Sequence, residues 1–208
     1  MNSFEFSFAY SSSPVCSPTR ASIMTGKHPA RINITDWIPG LDPQNRPLLG
    51  PKDNHELALK EITIAEKMKK LGYKTYYSGK WHLGSEGYYP EDNGFDFNVG
   101  GFEKGSPMGG YYSPYKNPKL SDGPIGEYLT DRLTNESISL IEKNKDQPFF
   151  LFLSFYNVHT PLQAPKKLVE KYQAKATSIN GKEFGPEEQV WPGAKERKVR
   201  ILQKHPTY

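Results

Sequence analysis

Runs of apolar residues predict three strands along this chain. Apolar and polar residues alternate over 4–10, which is typical of a strand with one buried face. The segment 73–78 carries a second, shorter strand pattern. A nearly unbroken apolar run over 148–155 predicts a strand that is buried on both faces of a parallel sheet.

Helical signals lie between and after these strands. A proline in the first turn and a closing glycine predict a helix from about Pro18 to Gly26. Thr63 and Glu66 form a capping-box pair for a helix over 63–71. Further helices are expected over 127–144 and near 165–174 and 194–203, and a proline-rich loop over 27–55. The expected apolar side of the 127–144 helix consists of Leu129, Leu133, Ile138, Leu140 and Ile141. The strand–helix–strand order predicts an α/β sandwich with a largely parallel sheet.

Residues 100–126 form a long stretch rich in Gly, Pro, Tyr and Ser. A loop of this length inside a compact domain is either functional or disordered. Its aromatic residues argue against disorder, and sugar rings often lie on aromatic faces. We therefore predict a substrate-facing loop here. Residues 163–208 are polar, and their organisation is less defined by pattern.

Composition excludes several classes of protein. The chain has 208 residues and a net charge of +4, which suits anionic substrates but shows no basic stripe for nucleic acid. A single cysteine excludes an internal disulfide framework. No run of apolar residues is long enough for a membrane span, and residues 1–10 are too polar for a signal peptide.

The only cysteine begins the segment Cys-Ser-Pro-Thr-Arg at 16–20. The predicted helix places Cys16 at a helix N-terminus, where backbone N–H groups and the helix dipole favour negative charge. Arg20 lies one turn further on and can point to the same place. This predicts an anion-binding corner around a sulfur nucleophile or a group made from it. Taken alone, the motif leaves open a small buried cysteine without function.

Two further clusters follow predicted strands. Gly-Lys-Trp-His-Leu-Gly at 79–84 places Lys80 and His82 at the carboxyl end of the 73–78 strand, where ligands bind in open α/β sheets. A phosphate-binding P-loop does not fit, because the glycine spacing differs and tryptophan follows the lysine. His159 comes directly after the 148–155 strand, in Asn-Val-His-Thr-Pro.

The segments 16–26 and 72–84 resemble the first and second signatures of the type I, formylglycine-dependent sulfatases. The Gly-Phe-Asp turn at 94–96 and the strand followed by His-x-Pro also resemble this family. The tyrosine-rich stretch 100–126 resembles its arylsulfatase-A-like bacterial branch. The resemblance covers most of residues 4–165. It implies an alkaline-phosphatase-like α/β/α sandwich, with residues 1–208 as a partial N-terminal catalytic domain whose sheet is incomplete at both ends.

The resemblance also implies a reaction, the hydrolysis of a sulfate ester to an alcohol and inorganic sulfate. Cys16, oxidised to formylglycine by a formylglycine-generating enzyme, would be the nucleophile and a ligand of Ca²⁺; the other metal ligands are expected to be absent from this chain. Arg20 would hold the oxyanion of the nucleophile, and Lys80 would bind sulfate oxygens. His82 would take the proton as the aldehyde reforms, and His159 would contact sulfate and help protonate the leaving oxygen.

The family further implies a sulfated small molecule or sulfated glycan as substrate and a periplasmic or secreted location. Two alternatives stay open: a formylglycine-type phosphonate or phosphate monoester hydrolase, and a non-enzymatic fragment. The 208 residues alone are expected to be inactive. Asp92 and Asp96 are interpreted as turn residues rather than metal ligands. His28, His55 and His205 match no motif.

Overall fold

The computed structural model describes residues 9–40, 45, 47–177, 184–186 and 198–200. The chain divides into two compact units, Met1–Gln163 and Ala164–Tyr208. The first unit contains the helices α1 (Cys16–Thr25), α2 (Pro29–Ile32), α3 (Ile64–Lys70) and α4 (Leu129–Asn144), the strands β1 (Lys74–Gly79), β2 (Phe97–Val99) and β3 (Phe149–Ser154), and a 3-10 turn at Pro90–Asn93. The second contains α5 (Lys166–Thr177) and the antiparallel pair β4 (Phe184–Pro186) and β5 (Lys198–Arg200).

The three strands of the first unit form a parallel sheet in the order β2-β1-β3. Tyr76 in the central strand is opposite Phe97 on one side and Leu151 on the other. Parallel neighbours require crossover connections, and α4 lies in the crossover that leads to β3. The predicted α/β class and parallel sheet are confirmed.

Helices cover both faces of this sheet, so that the first unit has three layers. On one face α3 packs against β1, and α1 packs against α3. The buried core there includes Ala21, Met24, Ala65, Tyr77, Trp81, Leu83 and Phe95. On the other face α4 packs against β1 and β3; the core there includes Phe102, Tyr111, Tyr115, Leu129, Leu133 and Tyr156. Neighbouring side chains of a strand point to opposite faces, which is why Tyr77 and Ser78 of β1 meet different helices.

Local signals account for several boundaries. The hydroxyl of Thr63 accepts the Glu66 N–H at 3.2 Å, and the Glu66 carboxylate accepts the Thr63 N–H at 2.7 Å, so the predicted capping box starts α3. Asp96 accepts the Thr75 N–H at 3.0 Å and pairs with Lys69 at 2.7 Å. Asp96 therefore connects α3, β1 and the turn before β2. These contacts agree with the interpretation of Asp96 as a turn residue rather than a metal ligand.

The structure corrects four expectations about elements. Residues 149–153 are only half-buried, because β3 lies at the edge of the described sheet. Ile138 is exposed, since the buried stripe of α4 runs through Leu129, Leu133 and Ser137 at a spacing of four. The predicted loop over 27–55 contains the short helix α2. The helix predicted near 194–203 is wrong over 198–200, where pairing with 184–186 gives a strand instead.

The strand predicted over 4–10 falls mostly outside the described residues, and positions 9 and 10 form no regular structure. Within the described part of the chain, none of the helices has the length and apolar character needed to cross a membrane.

The aromatic residues of 100–126 are largely interior. Phe102, Tyr111 and Tyr115 are buried in the core beneath α4. The faces of these three rings are therefore unavailable to sugar rings. The argument from aromatic faces, on which we based the prediction of a substrate-facing loop, does not hold for them. The tertiary structure uses the tyrosines to fix the loop, because each buried hydroxyl finds a hydrogen-bond partner.

Candidate active site

Cys16 occupies the first position of α1, as its motif predicts. The cap residue Val15 is extended and provides no side-chain cap, so the first backbone N–H groups of α1 stay directed at the space beside Cys16. The Thr19 hydroxyl donates to the Ser13 carbonyl at 2.7 Å and secures the loop that enters the helix. The thiol of Cys16 is half-buried and therefore accessible to modification.

Arg20 connects α1 to the end of β3. Its guanidinium donates two hydrogen bonds to the Ser154 hydroxyl, at 2.8 and 2.7 Å. Ser154 is the last residue of β3 and is buried. The planar guanidinium is held in one orientation by this paired contact, on the same side of the sheet as Cys16.

Lys80 follows directly on β1 and is only 5% exposed. Its backbone N–H donates to the Ser154 carbonyl at 2.8 Å, which fixes the start of the side chain. Burial lowers the pKa of the Lys80 ammonium; contact with Cys16 opposes this shift, and the positive charge of Arg20 adds to it. A desolvated ammonium beside a guanidinium is unfavourable by itself, and a bound anion would relieve both costs.

His82 is 5% exposed and takes a positive φ of 59°. Its Nε2 lies against the Ile38 carbonyl. Because a carbonyl can only accept, Nε2 carries the hydrogen and Nδ1 keeps its lone pair. Among the described residues, Nδ1 has no hydrogen-bond partner. Burial lowers the pKa of His82 to about 4; the Ile38 contact opposes this, and Lys80, among other cations, adds to it. The ring is neutral near pH 7.

Ser17 holds this histidine in place and was missed at the level of sequence. Its fully buried hydroxyl donates to the His82 carbonyl at 3.0 Å and accepts the Ile38 N–H at 3.0 Å. The residue after the candidate nucleophile therefore ties together both backbone segments that meet at the imidazole. Its position next to Cys16 indicates that it lies near the site. The sequence does not reveal its hydrogen-bond partners, because they lie 21 and 65 residues away.

His159 lies five residues beyond β3, in a turn where its N–H donates to the Tyr156 carbonyl at 2.9 Å. The buried Tyr111 hydroxyl donates to the carbonyls of both Tyr156 and His159, at 2.8 and 3.0 Å. The imidazole Nδ1 is 2.9 Å from the Thr160 carbonyl. The loop 100–126 therefore positions His159 from beneath.

Four of the five predicted site residues line one cavity of about 580 Å³, here called the main cleft. They are Cys16, Arg20, Lys80 and His159, and they are joined there by Tyr77, Trp81, Ser154 and the segment 155–158. His82 lines a neighbouring cavity, which also includes His159. No carboxylate is present in the described lining of the main cleft, so its charge is positive. The arrangement suits a small anion held beside Cys16.

The residues around Cys16 do not by themselves provide a calcium site. Ca²⁺ takes six to eight oxygen ligands, among them several carboxylates. Within the described segments no group of three or more His, Cys, Asp or Glu side chains is placed to hold a metal ion. Asp92 and Asp96 are occupied by structural contacts with Tyr89 and Thr75, respectively.

Comparison with known proteins gives the family. The model of the sulfatase family matches residues 2–208. The chain belongs to the sulfatase family. Two arylsulfatases illustrate the similarity. That of Hemicentrotus pulcherrimus is 35% identical over 179 residues, covering 76% of this chain and 31% of the relative. That of Klebsiella aerogenes is 30% identical over 181 residues, covering 79% and 37%. The chain spans about a third of the length of these relatives.

Solved structures agree with the alkaline-phosphatase-like α/β fold that the sulfatase motifs implied. The crystal structure of Ps i-CgsB in complex with k-i-k-neocarrahexaose matches with a TM-score of 0.60 at 25% identity, over 79% of this chain and 39% of that one. The structure of BT4656 in complex with its substrate D-glucosamine-2-N,6-O-disulfate matches with a TM-score of 0.56 at 23% identity, over 81% and 30%. The second likeness concerns the fold alone.

Proposed function

We propose that this sulfatase family member hydrolyses sulfate esters to an alcohol and inorganic sulfate at the main cleft. The observation that carries the proposal is the approach of Lys80 to Cys16 at the N-terminus of α1, in a cleft whose described lining has cations and no carboxylate. Membership of the sulfatase family supports the same conclusion. A sulfate group carries the negative charge that this lining lacks, and its oxygens can accept hydrogen bonds from the cations there.

Each residue has a role that follows from its place. Cys16, once oxidised to formylglycine, would supply the oxygen nucleophile that attacks sulfur. Lys80, desolvated and fixed at the end of β1, would bind the sulfate oxygens as a concentrated positive charge. Arg20, held by Ser154, would stabilise negative charge on the nucleophile.

The two histidines would handle protons. His82 is neutral, with its lone pair on Nδ1, but its ring lines the neighbouring cavity rather than the main cleft. Its role as the group that accepts a proton as sulfate is released therefore rests on the family resemblance. His159 lines both the main cleft and the neighbouring cavity, and we expect the ester oxygen to lie beside it. From there it would contact sulfate and assist protonation of the leaving oxygen.

The remaining parts of the proposal rest on the family. Ca²⁺ is expected in sulfatases, but the described residues do not fit such a site, and no step above depends on it. A formylglycine-generating enzyme would be the partner that modifies Cys16. The substrate would be a sulfated small molecule or glycan, met in the periplasm or outside the cell.

Mass spectrometry of the peptide that contains Cys16 tests the first step. After co-expression of the full-length protein with a formylglycine-generating enzyme, we expect a loss of about 18 Da relative to the unmodified peptide. Turnover of 4-nitrophenyl sulfate should greatly exceed that of 4-nitrophenyl phosphate, and Cys16→Ala should abolish it. An unmodified thiol, or a preference for the phosphate ester, would contradict the proposal.

Substitution of the anion-binding residues tests their roles. Lys80→Ala and His159→Ala should each lower kcat/KM by about 100-fold, since each removes a preorganised contact to sulfate. The melting temperature should change little, because the Lys80→Ala substitution removes a positive charge that is costly to bury. Lys143→Ala, an exposed change on α4, is the control. Turnover near the wild-type level in either variant would refute its role.

A further inference from the structure

Two buried hydroxyl groups, those of Tyr77 and Ser154, connect the two cations of the main cleft. Both residues line this cleft, and the reaction proposed above gives Tyr77 no role. Tyr77 is fully buried in β1, and Ser154 is buried at the end of β3. The guanidinium of Arg20 donates to the Ser154 hydroxyl through both of its terminal nitrogens. The Tyr77 hydroxyl donates to the backbone carbonyl of Lys80.

The donors and acceptors give these contacts a single direction. The Arg20 side chain at one end can only donate, and the Lys80 carbonyl at the other end can only accept. A hydroxyl has two lone pairs and one hydrogen, so the two N–H groups of Arg20 leave the Ser154 hydrogen for a further acceptor. Burial raises the pKa of Tyr77, while the charge of Arg20 and hydrogen bonds from Ser154 and Arg20 oppose this shift. The resulting order, from Arg20 through Ser154 and Tyr77 to Lys80, is here called the hydroxyl chain.

The ring of Tyr77 has little freedom to move its hydroxyl. Three aromatic rings pack around it with centroids 5.0, 5.2 and 5.6 Å away; they belong to Phe95, Trp81 and Phe152. The carbonyl of Ser154 accepts the Lys80 N–H at 2.8 Å. Tyr77 and Ser154 therefore hold both backbone polar groups of Lys80, which fixes the direction in which its side chain leaves β1.

Neutral hydroxyls can orient these cations without cancelling their charge. The described lining of the main cleft contains no carboxylate, so Arg20 and Lys80 are held there by dipoles rather than by an opposite charge. A carboxylate in place of Ser154 would also orient Arg20, but it would weaken the attraction for an anion because its charge is negative. The hydroxyl chain therefore fits an anion site that is ordered before the anion binds.

We propose that Ser154 and Tyr77 are positioning residues that hold Arg20 and Lys80 in one fixed arrangement for a sulfate group. Because the hydroxyl chain joins the two cations, a change at either hydroxyl disturbs both of them. The kinetic consequences of the proposal rest on the sulfate ester hydrolysis proposed above. The binding of inorganic sulfate tests the chain without turnover.

Two neighbouring tyrosines provide a matched pair of substitutions. Tyr77→Phe removes only the hydroxyl of the chain and leaves the Lys80 carbonyl without this partner. In the full-length, formylglycine-containing protein, it should lower kcat/KM for 4-nitrophenyl sulfate and weaken the binding of inorganic sulfate, each by about 10-fold. Tyr76→Phe removes an equally buried hydroxyl that has no hydrogen-bond partner among the described residues. It should change both values by less than about twofold.

Substitutions of Ser154 test the other end of the chain. Ser154→Ala should lower kcat/KM by about 100-fold, since a buried guanidinium loses its acceptor. The loss should lie more in kcat than in KM, because Arg20 acts on charge that develops on the nucleophile. Ser154→Thr keeps the hydroxyl and should recover most of the loss. In the double variant with Tyr77→Phe, we expect a loss of about 100-fold, since independent residues would give about 1,000-fold but links of one chain do not add.

Calorimetric titration with inorganic sulfate and urea unfolding accompany the kinetics, so that every value refers to folded protein. Losses that multiply in the double variant, or a Tyr77→Phe variant that behaves like Tyr76→Phe, would overturn the hydroxyl chain while sulfatase activity stands. If Ser154→Ala does not fold, the comparison of the two tyrosine variants decides.

The reverse failure has a different signature. If the wild-type protein binds sulfate in a manner that depends on both hydroxyls but does not hydrolyse the ester, the chain is supported and the proposed hydrolysis is not. A wild-type protein that neither binds sulfate nor hydrolyses the ester would overturn both proposals.

Discussion

Gly79→Ala should destabilise the protein and impair the site together. Gly79 ends β1 with φ +106°, and a Cβ added there would lie 1.9 Å from the Ser154 carbonyl oxygen. The same oxygen accepts the Lys80 N–H at 2.8 Å. The substitution therefore forces β1 and β3 apart at the point where Lys80 and the Arg20 partner Ser154 meet.

The magnitude follows from two contributions. A left-handed backbone conformation costs a non-glycine residue about 1–2 kcal/mol. The collision with backbone atoms adds about 1–3 kcal/mol, as in other overpacked sites. We expect a loss of about 3 kcal/mol in the free energy of unfolding, which at a slope near 2 kcal/mol per M shifts the urea midpoint by about 1.5 M. Turnover should fall by about 100-fold, since displacement of Lys80 by about 1 Å suffices for that.

Gly87→Ala is the matched control for this substitution. Gly87 also has a positive φ, +87°, but no atom lies within 4 Å of the added Cβ. It should show the backbone cost alone, about 1–2 kcal/mol, with turnover retained. Urea unfolding and steady-state kinetics on both variants measure the difference. Equal losses of stability in the two variants would refute the argument that contact with Ser154 is decisive.

Two further predictions concern the histidine that Ser17 supports. Ser17→Ala leaves the Ile38 N–H and the His82 carbonyl buried without their partner. It should lower the free energy of unfolding by about 1–3 kcal/mol and lower kcat more than it changes KM. Ser17→Thr should recover part of both losses, and an unchanged kcat in Ser17→Ala would refute the positioning role. The second is a pH dependence. The folded pKa of His82 is about 4 against 6.5 unfolded, so its neutral form contributes stability above pH 6.5 that is lost as pH falls towards 4, about 3 kcal/mol in all. Between pH 7 and 4.5, wild-type protein should lose more stability in urea unfolding than His82→Asn, whose asparagine tolerates the positive φ; parallel losses would contradict the lowered pKa.

Local patterns were enough to predict much of the framework. Each signal acted within a few residues: Thr63 capped α3 through Glu66, Gly26 closed α1 at φ 68°, and an apolar run became β3. The strand–helix–strand order then led to the parallel sheet. The motifs at Cys16, Lys80 and His159 were enough to bring candidate residues to one edge of that sheet, because they start a helix or follow a strand.

Only the tertiary structure decided what lies behind and beside these residues. Ser17, Ser154 and Tyr111 act on partners that are far away in the chain, and no periodicity reports such contacts. Tyr111 and Tyr115 are in the core because α4 and β3 pack against them, while Glu103 of the same loop lines a cavity. The residue type determines which interactions a side chain can make. Its burial and its neighbours follow from the packing of segments that are distant in the sequence.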